Sequence, residues 1–157
     1  MDITYLNSAE KPITAKELMK LYKDAGWWEE RKEEDIARLL KSAVSVGAWK
    51  NETLIGFARA ISDDIFRAYI EDVVVQSEFQ HAGIGKGLVS KMLSELAHID
   101  VISLFCEEDF IPFYKKNHFS LSHSQFVMHR KIFNWFALAL VSIISPSIVF
   151  FDSSYRG

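Results

Sequence analysis

Residues 79–88 read FQHAGIGKGL, placing Gly83, Gly85 and Gly87 at alternate positions beside Lys86. The stretch follows an apolar run and precedes a helical pattern. A glycine turn between strand and helix points backbone N–H groups outward, and the helix N-terminus adds partial positive charge. Together they suit a phosphate. Glycine also admits φ > 0 and lets a ligand approach the backbone. The plainer alternative is a tight strand-to-helix turn and nothing more. Spacing excludes two phosphate motifs. The P-loop needs G-x-x-x-x-G-K-S/T, but its first position here is Gln80, and Gly87 follows Lys86. The dinucleotide fingerprint G-x-G-x-x-G fails because Gly87 arrives one residue early, and no acidic ribose partner follows on a later strand.

The elements that must position this turn lie on both sides of it. RAYIEDVVV, rich in strand formers, leads in; Leu88, Val89, Met92, Leu93 and Leu96 mark the apolar face of the helix leading out. VISLFC reads as an apolar strand, and DFIPFYKKN as a short helix with Pro112 in its first turn. FSLSH and QFVMHRK are expected to close the sheet as two strands. Upstream, ITYL is a short strand, and Thr14 caps a helix carrying Leu18, Leu21 and Tyr22, with Gly26 at its end. GWWEERKEED connects to a second helix with Ile36, Leu39, Leu40 and Val44 on one face. VGAW and LIGFARAIS flank Lys50-Asn51-Glu52 as a hairpin. The order β-α-α-β-β-β-α-β-α-β-β predicts one layered α+β (α/β) domain.

Composition bounds the function. At 157 residues the chain suits a single domain with a proper core. A formal net charge of −3 argues against nucleic acid as a partner. The single cysteine, Cys106, offers no internal disulfide and no metal-ligand spacing, so a reducing, cytoplasmic setting is expected, and the N-terminus shows no signal-peptide pattern. Residues 132–151 contain no charge, which sets a domain at 1–131 apart from an apolar extension at 132–157. That length approaches a membrane span, but Pro146 and three serines weaken it. Packing on the domain, or on a second subunit as a homodimer, is the alternative.

Gln80-His81-Ala82-Gly83-Ile84-Gly85 matches Q/R-x-x-G-x-G/A. With YIEDVVV before it, the amphipathic helix after it, the earlier helix pair and the later FIPFYKKNHF, the chain resembles the GNAT superfamily of acyl-CoA-dependent N-acyltransferases over roughly residues 3 to 130. The resemblance implies a central mixed, mostly antiparallel sheet flanked by helices. It implies acetyl-CoA as cosubstrate, no metal, and acetyl transfer to a primary amine, taken as that of a small molecule, by direct attack in a ternary complex. A protein or peptide amine is the rival acceptor, and a coenzyme-A-binding sensor without turnover is the rival class. Gln80, His81, Ala82, Gly83, Ile84, Gly85 and Lys86 would cradle the pyrophosphate, and backbone groups of Val73 and Val75 the pantetheine. The chain departs from the family's segment at Glu107, Phe110 and His118, where Asn, Ala and Gly are usual.

Such a transfer needs an amine deprotonated, an oxyanion stabilised and a thiolate reprotonated. Strand alternation puts Tyr69, Glu71, Val73 and Val75 on one face, so Glu71 is the candidate base and Tyr69 an acceptor contact. Binding the acceptor's ammonium, or pairing with a neighbouring cation, is the alternative for Glu71. Asp72 faces away unless a bulge redirects it. Tyr114 matches a tyrosine the family places near the coenzyme sulfur and is the candidate acid; packing under the last helix is its plain reading. Cys106 on an apolar strand reads as core. Trp27 and Trp28, beside Glu29, Glu30, Glu33, Glu34 and Asp35, could stack on an amine with an apolar body; alternatively they anchor the core above a solvated charge run.

Overall fold

The computed structural model describes residues 2–130. They fall into two units, one running through Phe119 and the other from Ser120 onward. In the first unit the order is β1 (Thr4–Asn7), α1 (Ala15–Asp24), α2 (Glu33–Ser42), β2 (Val44–Lys50), β3 (Thr53–Ser62), β4 (Arg67–Val75), α3 (Ile84–Glu95), β5 (Val101–Leu104) and α4 (Ile111–Lys115). Single 3-10 turns at Ser77–Phe79 and Glu108–Phe110 precede α3 and α4. The sheet is ordered β1-β2-β3-β4-β5, antiparallel except for the parallel pair β4/β5. This is the mixed, mostly antiparallel sheet flanked by helices that the resemblance implies.

Local chemistry sets the element ends. Thr14 and Glu17 form a capping box at the start of α1: the Glu17 N–H donates to Thr14 Oγ1 at 3.3 Å and the Thr14 N–H to Glu17 Oε2 at 2.9 Å. At its other end Gly26 takes φ +69°, and the N–H groups of Gly26 and Trp27 return to the carbonyls of Lys23 and Tyr22. That Schellman arrangement stops the helix and aims the two tryptophans back over it. Val44 belongs to β2 rather than α2, because the backbone is already extended at Ala43.

Two apolar layers cover the sheet. Leu88 and Met92 of α3, and Leu96 just past its end, pack with Val46, Ile55, Ala58, Ala60 and Ile70 on one face. Leu18, Leu21 and Tyr22 of α1 and Ile36 of α2 pack with Trp49, Leu54, Phe57 and Val74 on the other.

One irregularity matters for function. Phe57 pairs with Val74 but Arg59 pairs with Glu71, so Asp72 and Val73 together oppose Ala58. Asp72 takes φ +53° to make this bulge. The insertion resets the side-chain alternation. Val73 and Val75 pack with the α3 layer, while Tyr69 and Glu71, whose neighbours Ala68 and Ile70 lie in that layer, face α1 and α2. The unbroken alternation expected from sequence therefore does not hold beyond Glu71.

Residues 120–130, in the second unit, contain no strand. The two closing strands expected there do not form: the polar run SHSQ interrupts the apolar alternation, and a strand is stable only with a ladder partner. Among the described residues no helix is long and apolar enough to cross a membrane. The apolar extension at 132–157 lies outside the described residues.

Candidate active site

The opening in the sheet follows from unequal strand lengths. β5 pairs with β4 from Arg67↔Val101 to Ile70↔Leu104 and then ends, whereas β4 continues to Val75. The Gln76 N–H donates to the Ile55 carbonyl at 2.9 Å, so by antiparallel alternation Val74 turns its backbone groups toward β3. Those of Val73 and Val75 turn to the edge that β5 has left. Gln80 Nε2 donates to the Val75 carbonyl at 3.1 Å and folds the loop against that edge. Asp24, at the end of α1, accepts from the Ser77 N–H at 2.7 Å and from its hydroxyl at 2.8 Å, tying the start of the same loop to the helix layer.

The loop then enters α3 through two left-handed residues, His81 at φ +60° and Gly83 at φ +82°. Gly83 is the N-cap, no side chain caps the helix, and its first turn carries no acid. The first helical bond runs from the Gly87 N–H to the Gly83 carbonyl, so the N–H groups of Ile84, Gly85 and Lys86 have no intrahelical acceptor. This concave set of donors fits a pyrophosphate. Of the other two glycines, packing demands only Gly87. A Cβ on Gly85 would lie 3.4 Å from the Phe113 ring, and one on Gly87 would collide with Tyr5. His81 and Lys86 are exposed.

On the α1/α2 face, Glu71 and Asp72 share one cation. Arg59 pairs with Glu71 through Nη2 and with Asp72 through Nε at 2.6 Å. The hydroxyl of Tyr22 donates to the same Asp72 oxygen at 2.8 Å. The Asp72 side chain is only 5% exposed, against 29% for Glu71, so Asp72 is committed to the interior while Glu71 keeps solvent access. Burial above all, then the Asp72 charge, holds the Tyr22 hydroxyl well above the usual tyrosine range, so it stays a donor. Arg59 and Tyr22 escaped the sequence reading. A lone arginine inside LIGFARAIS was the available signal, since an inward charge on an apolar strand requires a carboxylate partner.

Tyr114 of α4 is half-buried, edge-on to Phe113 and Phe119 at centroid distances of 4.9 and 5.9 Å. Burial, with a smaller contribution from Cys106, pushes its hydroxyl up to about 12. Cys106 lies beyond the end of β5, half-buried rather than in the core, and burial raises its thiol too. A thiol held protonated is a poor nucleophile. His118 takes φ +67° and supplies the left-handed residue after α4 without a glycine.

Tyr69 is half-buried, with its ring 4.8 Å from that of Phe105. Trp27 and Trp28 stand edge to face at 5.2 Å and, with Tyr22, help line a cavity of about 520 Å³. The Arg31 guanidinium lies 3.6 Å from the centre of the Trp28 ring, so that side of the ring already has its cation.

The sheet parts beside β4, and the loop at its end presents outward N–H groups that suit a phosphate. The chain belongs to the GNAT family of acetyltransferases, whose family model matches residues 8–119. It is 36% identical over 115 residues to the uncharacterized N-acetyltransferase ycf52 of Pyropia yezoensis, covering 69% of this chain and 66% of that one, a little under two thirds of the relative's length. It is 39% identical over 84 residues to histone acetyltransferase TAP1 of Glycine max, covering 51% and 36% of the two chains. A probable acetyltransferase from methicillin-resistant Staphylococcus aureus shares the fold with a TM-score of 0.72 at 20% identity, over 83% of this chain and 100% of that one.

Proposed function

We propose that this protein transfers an acetyl group from acetyl-CoA to the primary amine of a small molecule, by direct attack within a ternary complex. The observation that carries this reading is the edge of β4 from Glu71 to Val75, unpaired by β5 and running into the outward N–H groups before α3. Backbone groups of Val73 and Val75 suit the amide-bearing arm of the donor, and the amides of Gly83 to Lys86 suit its pyrophosphate. When bound, the donor supplies an acetyl group activated as a thioester. Glu71 takes the proton of the amine, directly or through a water, from the solvent-reached side of its ion pair. A backbone N–H on the β4 edge meets the charge growing on the carbonyl oxygen. The Tyr114 hydroxyl, protonated at neutral pH, returns a proton to the departing sulfur.

Thiol release from acetyl-CoA against amino sugars, polyamines, amino acids and peptides tests this. At least one small amine should give saturable release. Acetyl-CoA binding without release for every amine would leave a coenzyme-A-binding sensor instead. Likeness to a protein named as a histone acetyltransferase supports a second reading, a protein amine as acceptor. A lysine peptide turned over far better than every small amine would establish it.

A further inference from the structure

The cavity beside α1 is more cationic than the acidic run around it. Lys20, Lys23 and Arg31 line it against the single acid Glu29. Among the described residues none of the three cations takes part in an ion pair. Arg31 Nη1 is shielded from solvent and has no hydrogen-bond partner among those residues. What favours an anion is the three unpaired cations; Arg31 Nη1 itself has no solvent-accessible face, so a ligand oxygen reaches it only if a neighbour moves. The place of Arg31 is well determined: the Arg31 N–H donates to the Trp28 carbonyl at 3.0 Å, Trp28 holds a left-handed φ of +45°, and the guanidinium stacks on the Trp28 ring. Strain of this kind persists only where the surroundings over-determine it. Tyr22 links the cavity to the candidate catalytic strand, lining the cavity and bonding Asp72 through its hydroxyl.

We infer that Arg31, with Lys20 and Lys23, binds an oxyanion carried by the acceptor, a carboxylate or a phosphate, while Trp27 and Trp28 wall its apolar part. The arginine fork matches the paired oxygens of either group, and stacking on Trp28 sets its plane. The acceptor is then an amine that also bears an acid, rather than a simple cation held on the tryptophan faces. This rests on the acetyl-transfer reading above, which it narrows.

Matched amines test it: tryptophan against tryptamine for a carboxylate, and phosphoethanolamine against ethanolamine for a phosphate, in the thiol-release assay. The acidic member of at least one pair should show the lower KM, by on the order of 10- to 100-fold. Arg31→Met, which keeps the apolar contact with Trp28, should erase that preference while the neutral member is still turned over. Which pair responds names the oxyanion. Equal KM values within both pairs would overturn the inference and leave acetyl transfer standing. Should Arg31→Met fail to fold by circular dichroism, Lys23→Met must weaken the preference, and an unchanged preference overturns the inference. If no amine of any kind is acetylated, the activity reading fails, and tryptophan fluorescence then decides on binding. A saturable change with phosphoethanolamine or glutamate, lost in the Arg31 or Lys23 variant, supports the site; no change overturns it.

Discussion

Arg59 Nε donates to Asp72 Oδ2 at 2.6 Å, and both side chains are almost wholly removed from solvent, at 8% and 5% exposure. This pair sits on the bulge that resets β4, so it joins the stability of the sheet to the facing of Glu71 and Val73.

Breaking that pair should be costly. Asp72→Asn removes the more buried of the two carboxylates while Glu71 still balances Arg59, so it is expected to destabilise the fold by about 1 to 3 kcal/mol, less than an orphaned charge would. Urea unfolding measures it. An unshifted midpoint would mean that the pair contributes shape but not charge.

Glu71→Gln should behave differently, because Glu71 retains solvent access. Its kcat is expected to fall roughly 10²-fold or more with little change in KM for acetyl-CoA, the pattern of a lost proton acceptor. A full kcat would transfer the base role to water or to another group.

The Tyr114 hydroxyl, raised from 10.0 to about 12, carries a pH signature. A folded pKa above the unfolded one means that its stabilising contribution is complete below the unfolded value and is lost as pH rises through the folded one. The loss should therefore fall between about pH 10 and 12 and be absent in Tyr114→Phe. The same substitution should lower kcat by a factor that stays constant from about neutral pH to pH 10, because the hydroxyl remains protonated across that range. A factor that shrinks steadily in this range would show that a different group donates the proton.

Gly83→Asp should separate cofactor binding from folding. Gly83 is exposed and nothing lies within 4 Å of an added Cβ, so the cost is the left-handed φ of +82°, about 1 to 2 kcal/mol. The new carboxylate would compete for the N–H groups at the start of α3 and repel a pyrophosphate. Acetyl-CoA binding by calorimetry should disappear while the circular dichroism spectrum is retained. Tight binding by the folded variant would remove this loop from the phosphate site.

Local pattern alone determined most of the elements and the placement of the glycine loop before α3. Thr14 with Glu17, Gly26, Asn51 in the hairpin turn and the glycines before α3 each act through their own backbone neighbourhood, so their consequences can be read in one dimension. The candidate roles of Glu71 and Tyr114 rest on the same kind of information, a position within a strand or beside a motif. Only the tertiary structure decided where side chains met. The bulge at Asp72 depends on a partner strand and on Arg59, thirteen residues away, so strand alternation could not anticipate it. The cavity likewise draws its charge from Lys20, Lys23 and Arg31, which the fold of one helix end gathers, whereas the acidic neighbours that dominate the linear text point largely to solvent. Charge in a sequence is a sum along the chain; charge at a site is a sum over distance, and only folding sets the distances.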